Sequence, residues 1–319
     1  MRGRKSGQRV SDSHMEGVRS IEKTLSVLAS VVGERRTPSP GVSDPAVLLE
    51  TCLARLEEDG AALSRPIRTI HHLSCTGGTL FAKCIAAMPN ILLLNEVDPL
   101  STLLLQEGKP AFAPTDMISL VRQGDPELTS DVLVRMFAKD IEFLAHDQAR
   151  IGRDIVLRDH SHSHFLIGAT IAERPTLREM VADVSAVNSV VTVRDPIDSY
   201  LSMVANGWQL QFSPSTFDEY CRRYQAFLDR YEGIDIIRYE DLVDDPKSTM
   251  HRICTILDLT YSDDFVDLFS AFTLSGDSGR SGSAIGKRSR RESAAQLADM
   301  TRNSNNYTKL AQSLGYAIV

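Results

Sequence analysis

No two cysteines of this chain stand in a CxxC spacing, and their number is odd: Cys52, Cys75, Cys84, Cys221 and Cys254, most of them inside apolar runs. Such a set builds no disulfide frame and reads as reduced, buried thiols in a cytoplasmic protein. Also missing is any run of the roughly 18 apolar residues that a membrane helix requires. The basic start, MRGRKSGQRVSDSH, has no apolar stretch behind it and so is not a secretory signal. Positive charge is not in excess either. With 35 Lys and Arg against 42 Asp and Glu, the net charge of −7 recruits no nucleic acid, and any basic site must be local. Internal repeats and low-complexity tracts are absent. What remains is ordinary globular composition, 42% hydrophobic and 24% charged over 319 residues.

The pattern changes near residue 65. Before it, a polar, disordered basic tail (1–15) precedes two stretches of helical periodicity, VRSIEKTLSVLASVVG (18–33) and DPAVLLETCLARLEEDGAAL (44–63), joined by the linker ERRTPSPGVS. Residues 1–64 thus read as a tail plus helical extension, and 65–319 as the main domain. There, short apolar runs alternate with longer helical ones. The strand candidates are IRTIHHLS (67–74), NILLLNE (90–96), DIVLRDH (154–160), SVVTVRD (189–195) and GIDIIRYE (233–240). The helical candidates include 128–150, 196–206, 215–232 and 246–259. Strands that are apolar throughout and separated by helices imply a parallel sheet covered on both faces, a three-layer α/β sandwich.

LSCTGGTL (73–80) follows the first strand and opens a helix that Pro89 and Asn90 close. Gly77 and Gly78 let the backbone bend and approach an anion, and the amides of Gly78, Thr79 and Leu80 are expected to face it at a helix N-terminus. Thr79 adds a hydroxyl. The loop lacks the Lys-Ser/Thr ending that holds a γ-phosphate and Mg²⁺. That weakens a kinase reading. A plain strand-to-helix turn stays open as the structural alternative.

A second anion site is suggested by VVTVRDPIDSYLS (190–202). Arg194 ends a strand and offers a planar fork for phosphate, Pro196 suits the first helical position, and Ser202 supplies a hydroxyl. An Arg194 ion pair with Asp195 or Asp198 is the alternative. The TGGTL loop, the Arg-Asp-Pro-x-Asp-x-x-x-Ser stretch and RYEDLVDDP (238–246), in that order, resemble the sulfotransferase family dependent on 3′-phosphoadenosine 5′-phosphosulfate (PAPS), over roughly residues 66–291. The resemblance implies the P-loop-like nucleotide-binding fold of that family. It also implies a PAPS donor whose 5′-phosphosulfate meets Thr76, Gly77, Gly78, Thr79 and Leu80, and whose 3′-phosphate meets Arg194 and Ser202. Tyr239 matches a tyrosine near the adenine, with a buried strand tyrosine as the alternative. Cys75 stands where the family usually has a Lys or Arg, and Lys83, one turn into the helix, is the candidate replacement, with a solvated helix lysine as the alternative. Arg280 is carried over from the family's late basic loop, here SGDSGRSGSAIGKRSRRE (275–292), and Lys287, Arg288, Arg290 and Arg291 follow it.

Sulfuryl transfer to an alcohol needs a base within hydrogen-bond reach of the acceptor hydroxyl. Glu96 ends the second strand, where open α/β sheets bind ligands, and is the first choice. His160, at the end of the next strand, is the second. Arg158 and Asp159 beside it are open to a local ion pair. Alternate histidines at 160, 162 and 164 share a strand face, but their spacing strains a tetrahedral zinc site, so no metal is expected. The family also needs no Mg²⁺. The expected acceptor is a carbohydrate or other small molecule, with no nucleic acid or membrane partner. Trp208 is expected to cover the core rather than stack on a sugar. Two rivals stay open: a P-loop small-molecule kinase using ATP and Mg²⁺, and a non-catalytic nucleotide-binding protein of the same fold.

Overall fold

Each of the five apolar runs forms a strand, since consecutive aliphatic and β-branched residues suit a sheet buried on both faces. The computed structural model describes residues 65–103, 113–125, 127–276, 284–286, 300–302 and 304–318. The tail and helices expected over 1–64 lie outside the described residues, as do Arg280, Lys287, Arg288, Arg290 and Arg291. The strands are β1 (Ile67–His72), β2 (Ile91–Val97), β3 (Asp154–Asp159), β4 (Val187–Val193) and β5 (Ile236–Arg238). They pair in parallel in the order β2-β3-β1-β4-β5. The helices are α1 (Gly78–Ala86), α2 (Met117–Gly124), α3 (Ser130–Arg150), α4 (His162–Phe165), α5 (Leu177–Ala182), α6 (Pro196–Ala205), α7 (Phe217–Arg230), α8 (Tyr239–Asp244), α9 (Pro246–Leu257), α10 (Phe265–Leu268) and α11 (Asn305–Leu314).

Strand alternation sorts the core into layers. On one face Ile70, Val156 and Val190 pack with Phe81 and Ile85 of α1 and Ile253 of α9. On the other, Ile67, Ile155 and Leu157 meet Leu133 and Phe137 of α3, while Val191 and Val193 meet Tyr220, Tyr224 and Phe227 of α7. Full burial stabilises by about 1.5–3 kcal/mol for each large apolar side chain. Asp195 caps α6 by accepting the Ile197 and Asp198 amides, with Pro196 at the first helical position as its missing N–H allows.

The connection after β1 runs to one side of the sheet and the connection after β4 to the other. The crevice for a ligand therefore opens between the C-terminal ends of β1 and β4. The loops that begin at Leu73 and Arg194 flank it.

The structure departs from the sequence pattern at four places. Tyr239 does not end a strand but starts α8. β3 stops at Asp159, so His160, His162 and His164 do not alternate along a strand, and the last two sit in α4. α1 closes at Ala86, ahead of Pro89. α11, capped by Ser304 and packed on α7 through Tyr307 and Leu310, was not apparent from periodicity. Cys84, Cys221 and Cys254 are buried free thiols, and Cys75 is half-buried. Among the described residues no helix is long and apolar enough to cross a membrane.

Candidate active site

The loop after β1 is shaped by close approaches. Gly77 caps α1 at φ +92°, and a Cβ built on it would stand 2.3 Å from the Tyr239 ring. A Cβ on Gly78 would stand 2.3 Å from the His72 ring. Neither position has room for a side chain, so the backbone of the loop is fully presented at the helix start. The amides of Gly78 and Thr79, in the first turn of α1, have no intrahelical acceptor. Leu80 differs from expectation: its amide donates to the Gly77 carbonyl at 2.9 Å, because the first turn tightens. Thr76 is buried and turns its hydroxyl inward to the Leu73 carbonyl at 2.8 Å.

Beneath this loop lies a buried cation. Arg158, on β3, has a side chain 3% exposed. Its Nε donates to His72 Nε2 (2.8 Å), Nη1 to Asn95 Oδ1 (2.8 Å) and Nη2 to Thr79 Oγ1 (3.0 Å). Nη2 also lies 3.5 Å from Glu96 Oε1. The local Arg158–Asp159 ion pair that the sequence leaves open is ruled out by the pleat, since successive strand residues face opposite sides of the sheet. Asp159 instead meets His71 (2.7 Å), Ser161 and Tyr231 (both 2.8 Å) on the far face. Burial alone would raise the Asp159 carboxyl, but these partners hold it below its usual range. Arg158 was legible in principle: the parity of β1 and β3 puts it on the α1 face once the strands are known to be neighbours.

His72 is buried, and desolvation, aided by the Arg158 charge, lowers its pKa to about 3. It is therefore neutral, with Nδ1–H donating to the Leu73 carbonyl (3.0 Å) and Nε2 free to accept from Arg158. In the unfolded chain the same imidazole takes a proton near pH 6.5, so its neutrality makes folding progressively costlier as pH falls from about 6.5 towards 3, by ~1.4 kcal/mol per unit. Between pH 7 and 5 the wild type is expected to lose ~2 kcal/mol more unfolding free energy than His72→Gln, measured by urea titration. Equal losses in both proteins would show that His72 does not set the acid sensitivity.

Glu96 sits where β2 slips register between Leu94 and Val97, at φ +55°. A left-handed glutamate at a bulge is strained, and strain of this kind re-aims side chains at functional sites. Its Oε1 faces Arg158, while Oε2 accepts the Ser275 hydroxyl at 3.1 Å. The Ser275 carbonyl takes a hydrogen bond from Arg158 (3.2 Å), and the Gly276 carbonyl takes one from the Thr79 hydroxyl (3.1 Å). The donors of Arg158 and Thr79 thus converge on oxygen acceptors beside Glu96.

His160 is half-buried, its ring centroid 6.0 Å from that of His162. His162 bonds Ser74 of the loop and Gln211, and burial lowers its pKa. His164 bonds the Ala172 carbonyl at 2.9 Å. Both neighbours of His160 are therefore engaged by protein groups. Among the described residues no cluster of three His, Cys, Asp or Glu side chains has a metal-holding arrangement. Trp208 is half-buried against the core, edge-on to His162 at 6.1 Å. Buried Arg223 donates to the carbonyls of Phe165, Ile167, Gly168 and Ala169, which pins the chain after α4.

Across the crevice, Arg194 Nη1 donates to the Cys75 carbonyl (3.2 Å), and its guanidinium lies 4.9 Å from the Tyr239 ring centroid. Arg194 Nε is buried and has no hydrogen-bond partner among the described residues. Tyr239 braces Gly77 on the one side and Arg194 on the other. Asp195 is occupied as the helix cap. Ser202 is half-buried on α6, and Lys83 lies in the last turn of α1, roughly 7.5 Å along the axis from Gly78. Asp98, a carboxylate that a magnesium-dependent kinase would call on, is held by Arg174 through two bonds of 2.7 Å.

No curated protein matches this chain. Its fold is similar to that of the sulfotransferase domain from the curacin biosynthetic pathway (16% identity, 80% of this chain and 99% of that one, TM-score 0.48). It is also similar to the sulfotransferase domain of the Synechococcus PCC 7002 olefin synthase (18% identity, 80% and 96%, TM-score 0.44). A third similar structure is a mouse sulfotransferase complexed with PAP (13% identity, 81% and 93%, TM-score 0.36). The sequence profile of the sulfotransferase family matches residues 73–263, from the loop after β1 to beyond α9. That match spans more than half of the sequence and takes in both sides of the crevice, and the chain belongs to the sulfotransferase family.

Proposed function

We propose that this domain moves a sulfuryl group from PAPS to a hydroxyl of a carbohydrate or other small-molecule acceptor. The observation that carries the reading is the pairing of two anion-directed segments across one crevice. At one side stand the amides of Gly78 and Thr79 in the first turn of a helix; at the other, Arg194, whose buried Nε has no hydrogen-bond partner among the described residues. A nucleotide with phosphate groups at both its 5′ and 3′ ends fits that pair. The crowding at Gly77 and Gly78 leaves the loop backbone bare for the 5′ end, and Arg194 with Ser202 takes the 3′-phosphate. Tyr239 is assigned to the adenine end. PAPS supplies an activated sulfuryl group, so the chain's own residues need only position groups and move one proton.

Glu96 takes the proton of the acceptor hydroxyl as its oxygen bonds to sulfur and the sulfur–oxygen bond to the 5′-phosphate breaks. His160 is the second candidate for that role. Arg158 and the α1 amides support the charge that gathers on the leaving phosphate oxygen, the kind of preorganised electrostatics that dominates such transfers. Arg158 reaches the loop from β3 and does the work of the loop cation missing at Cys75. Lys83, at the far end of α1, ranks behind it.

Titration calorimetry with 3′-phosphoadenosine 5′-phosphate in excess EDTA tests the donor. Micromolar affinity is expected for the wild type, with a loss of about a hundredfold in Arg194→Ala, since truncating one partner of a charged pair costs about 2–5 kcal/mol. Tight binding of ATP with Mg²⁺ instead, unaffected by Arg194→Ala, would replace this reading with the kinase one.

A further inference from the structure

The turn that carries Arg194 is held from behind by two side chains. Tyr224 Oη accepts the Arg194 amide at 3.1 Å. Glu240, in the first turn of α8, accepts the Asp195 amide on Oε1 at 3.1 Å. Its other oxygen, Oε2, accepts the Tyr316 hydroxyl at 2.7 Å. Tyr316 is itself fixed. It follows Gly315, which is left-handed at φ +69° and ends α11, and its amide returns to the Ala311 carbonyl at 2.8 Å. Its ring lies under the Arg238 guanidinium at 4.9 Å, and Arg238 also bonds the Leu314 carbonyl. Burial and the Glu240 charge push the Tyr316 phenol up, so it remains a donor at any working pH.

This arrangement places a carboxylate directly behind an arginine turn built to receive an anion. Left untied, Glu240 can swing and compete with phosphate for the Arg194 guanidinium. Tied by the Tyr316 hydroxyl, it serves only as the acceptor for the Asp195 amide. We propose that Tyr316 is a positioning residue for the 3′-phosphate site: by holding Glu240 on the Asp195 amide, it keeps Arg194 open to the donor. This rests on Arg194 binding the 3′-phosphate. It adds a determinant more than a hundred residues away in sequence and outside the residues matched to the family.

The test uses the full chain and two nucleotides, 3′-phosphoadenosine 5′-phosphate and adenosine 5′-monophosphate, which lacks the 3′-phosphate. Calorimetry should show the wild type binding the first far more tightly than the second. Tyr316→Phe keeps the ring under Arg238 and removes only the hydroxyl. It should weaken the 3′-phosphorylated nucleotide about tenfold, as expected for a hydrogen bond to a charged group, and leave the monophosphate unchanged. Adding Glu240→Gln, which keeps an acceptor for Asp195 but removes the competing charge, should restore affinity to within about twofold of wild type. A wild type that does not distinguish the two nucleotides would overturn the donor assignment itself. A discriminating wild type with an unaffected Tyr316→Phe, equal weakening of both nucleotides, or a double variant weaker than the single would each overturn the role of Tyr316 alone.

Discussion

Glu96→Gln is expected to slow sulfuryl transfer about a thousandfold while leaving affinity for 3′-phosphoadenosine 5′-phosphate within about twofold of wild type, the scale of a lost general base. The amide is nearly isosteric with the carboxylate but cannot take a proton. The geometry favours Glu96 over His160 on two counts. The backbone at Glu96 adopts φ +55° at the β2 register slip, a conformation that a glutamate keeps only when the surroundings impose it. Its Oε2 already accepts a hydroxyl, that of Ser275, beside the Arg158 guanidinium. Release of the 3′,5′-bisphosphate from labelled PAPS, with water or a mixture of hydroxylated acceptors, reads the rate without knowledge of the natural acceptor. If His160→Gln shows the thousandfold loss and Glu96→Gln only a few-fold one, the base is His160.

Arg158→Met is expected to cost a further large factor, about 10²–10³ in the same transfer rate, because it removes a buried cation that reaches the Thr79 hydroxyl of the loop. Its loss also strands partners. His72 Nε2 loses its donor, Asn95 Oδ1 loses its own, and Glu96 loses its nearest positive charge. Stability should therefore fall by about 1–3 kcal/mol, and the rate is to be read on protein shown to be folded by circular dichroism. Arg158→Lys retains charge without the planar fork and cannot meet His72, Asn95 and Thr79 together, so it should recover only part of the rate. Lys83→Met provides the contrast. A larger loss there than in Arg158→Met would assign the cation to α1 and sink the role given to β3.

These two residues also mark the boundary of what could be read from the chain. The five strands, the strand–loop–helix at 67–86, the Pro196 helix start and the motifs that mark the family were all set by the sequence, because each depends on neighbours within a few residues. Hydrophobic runs choose the strands, glycines open the loop, and a proline fits the first helical turn. The charged contacts of the site obey no such local rule. Sequence adjacency leaves an ion pair of Arg158 with Asp159 open, whereas the pleat separates those two. The neighbour relation of β1 and β3, which only the sheet order reveals, brings Arg158 to His72 and Thr79. The sequence pattern puts Tyr239 at a strand end, but it starts α8, where it braces Gly77 and Arg194. Tyr316 reaches Glu240 across 76 residues because α11 packs on α7 and ends in a left-handed turn. Local patterns determine which elements form, whereas the convergence of side chains at a sheet edge is decided by strand order and helix packing, which no short window of sequence contains.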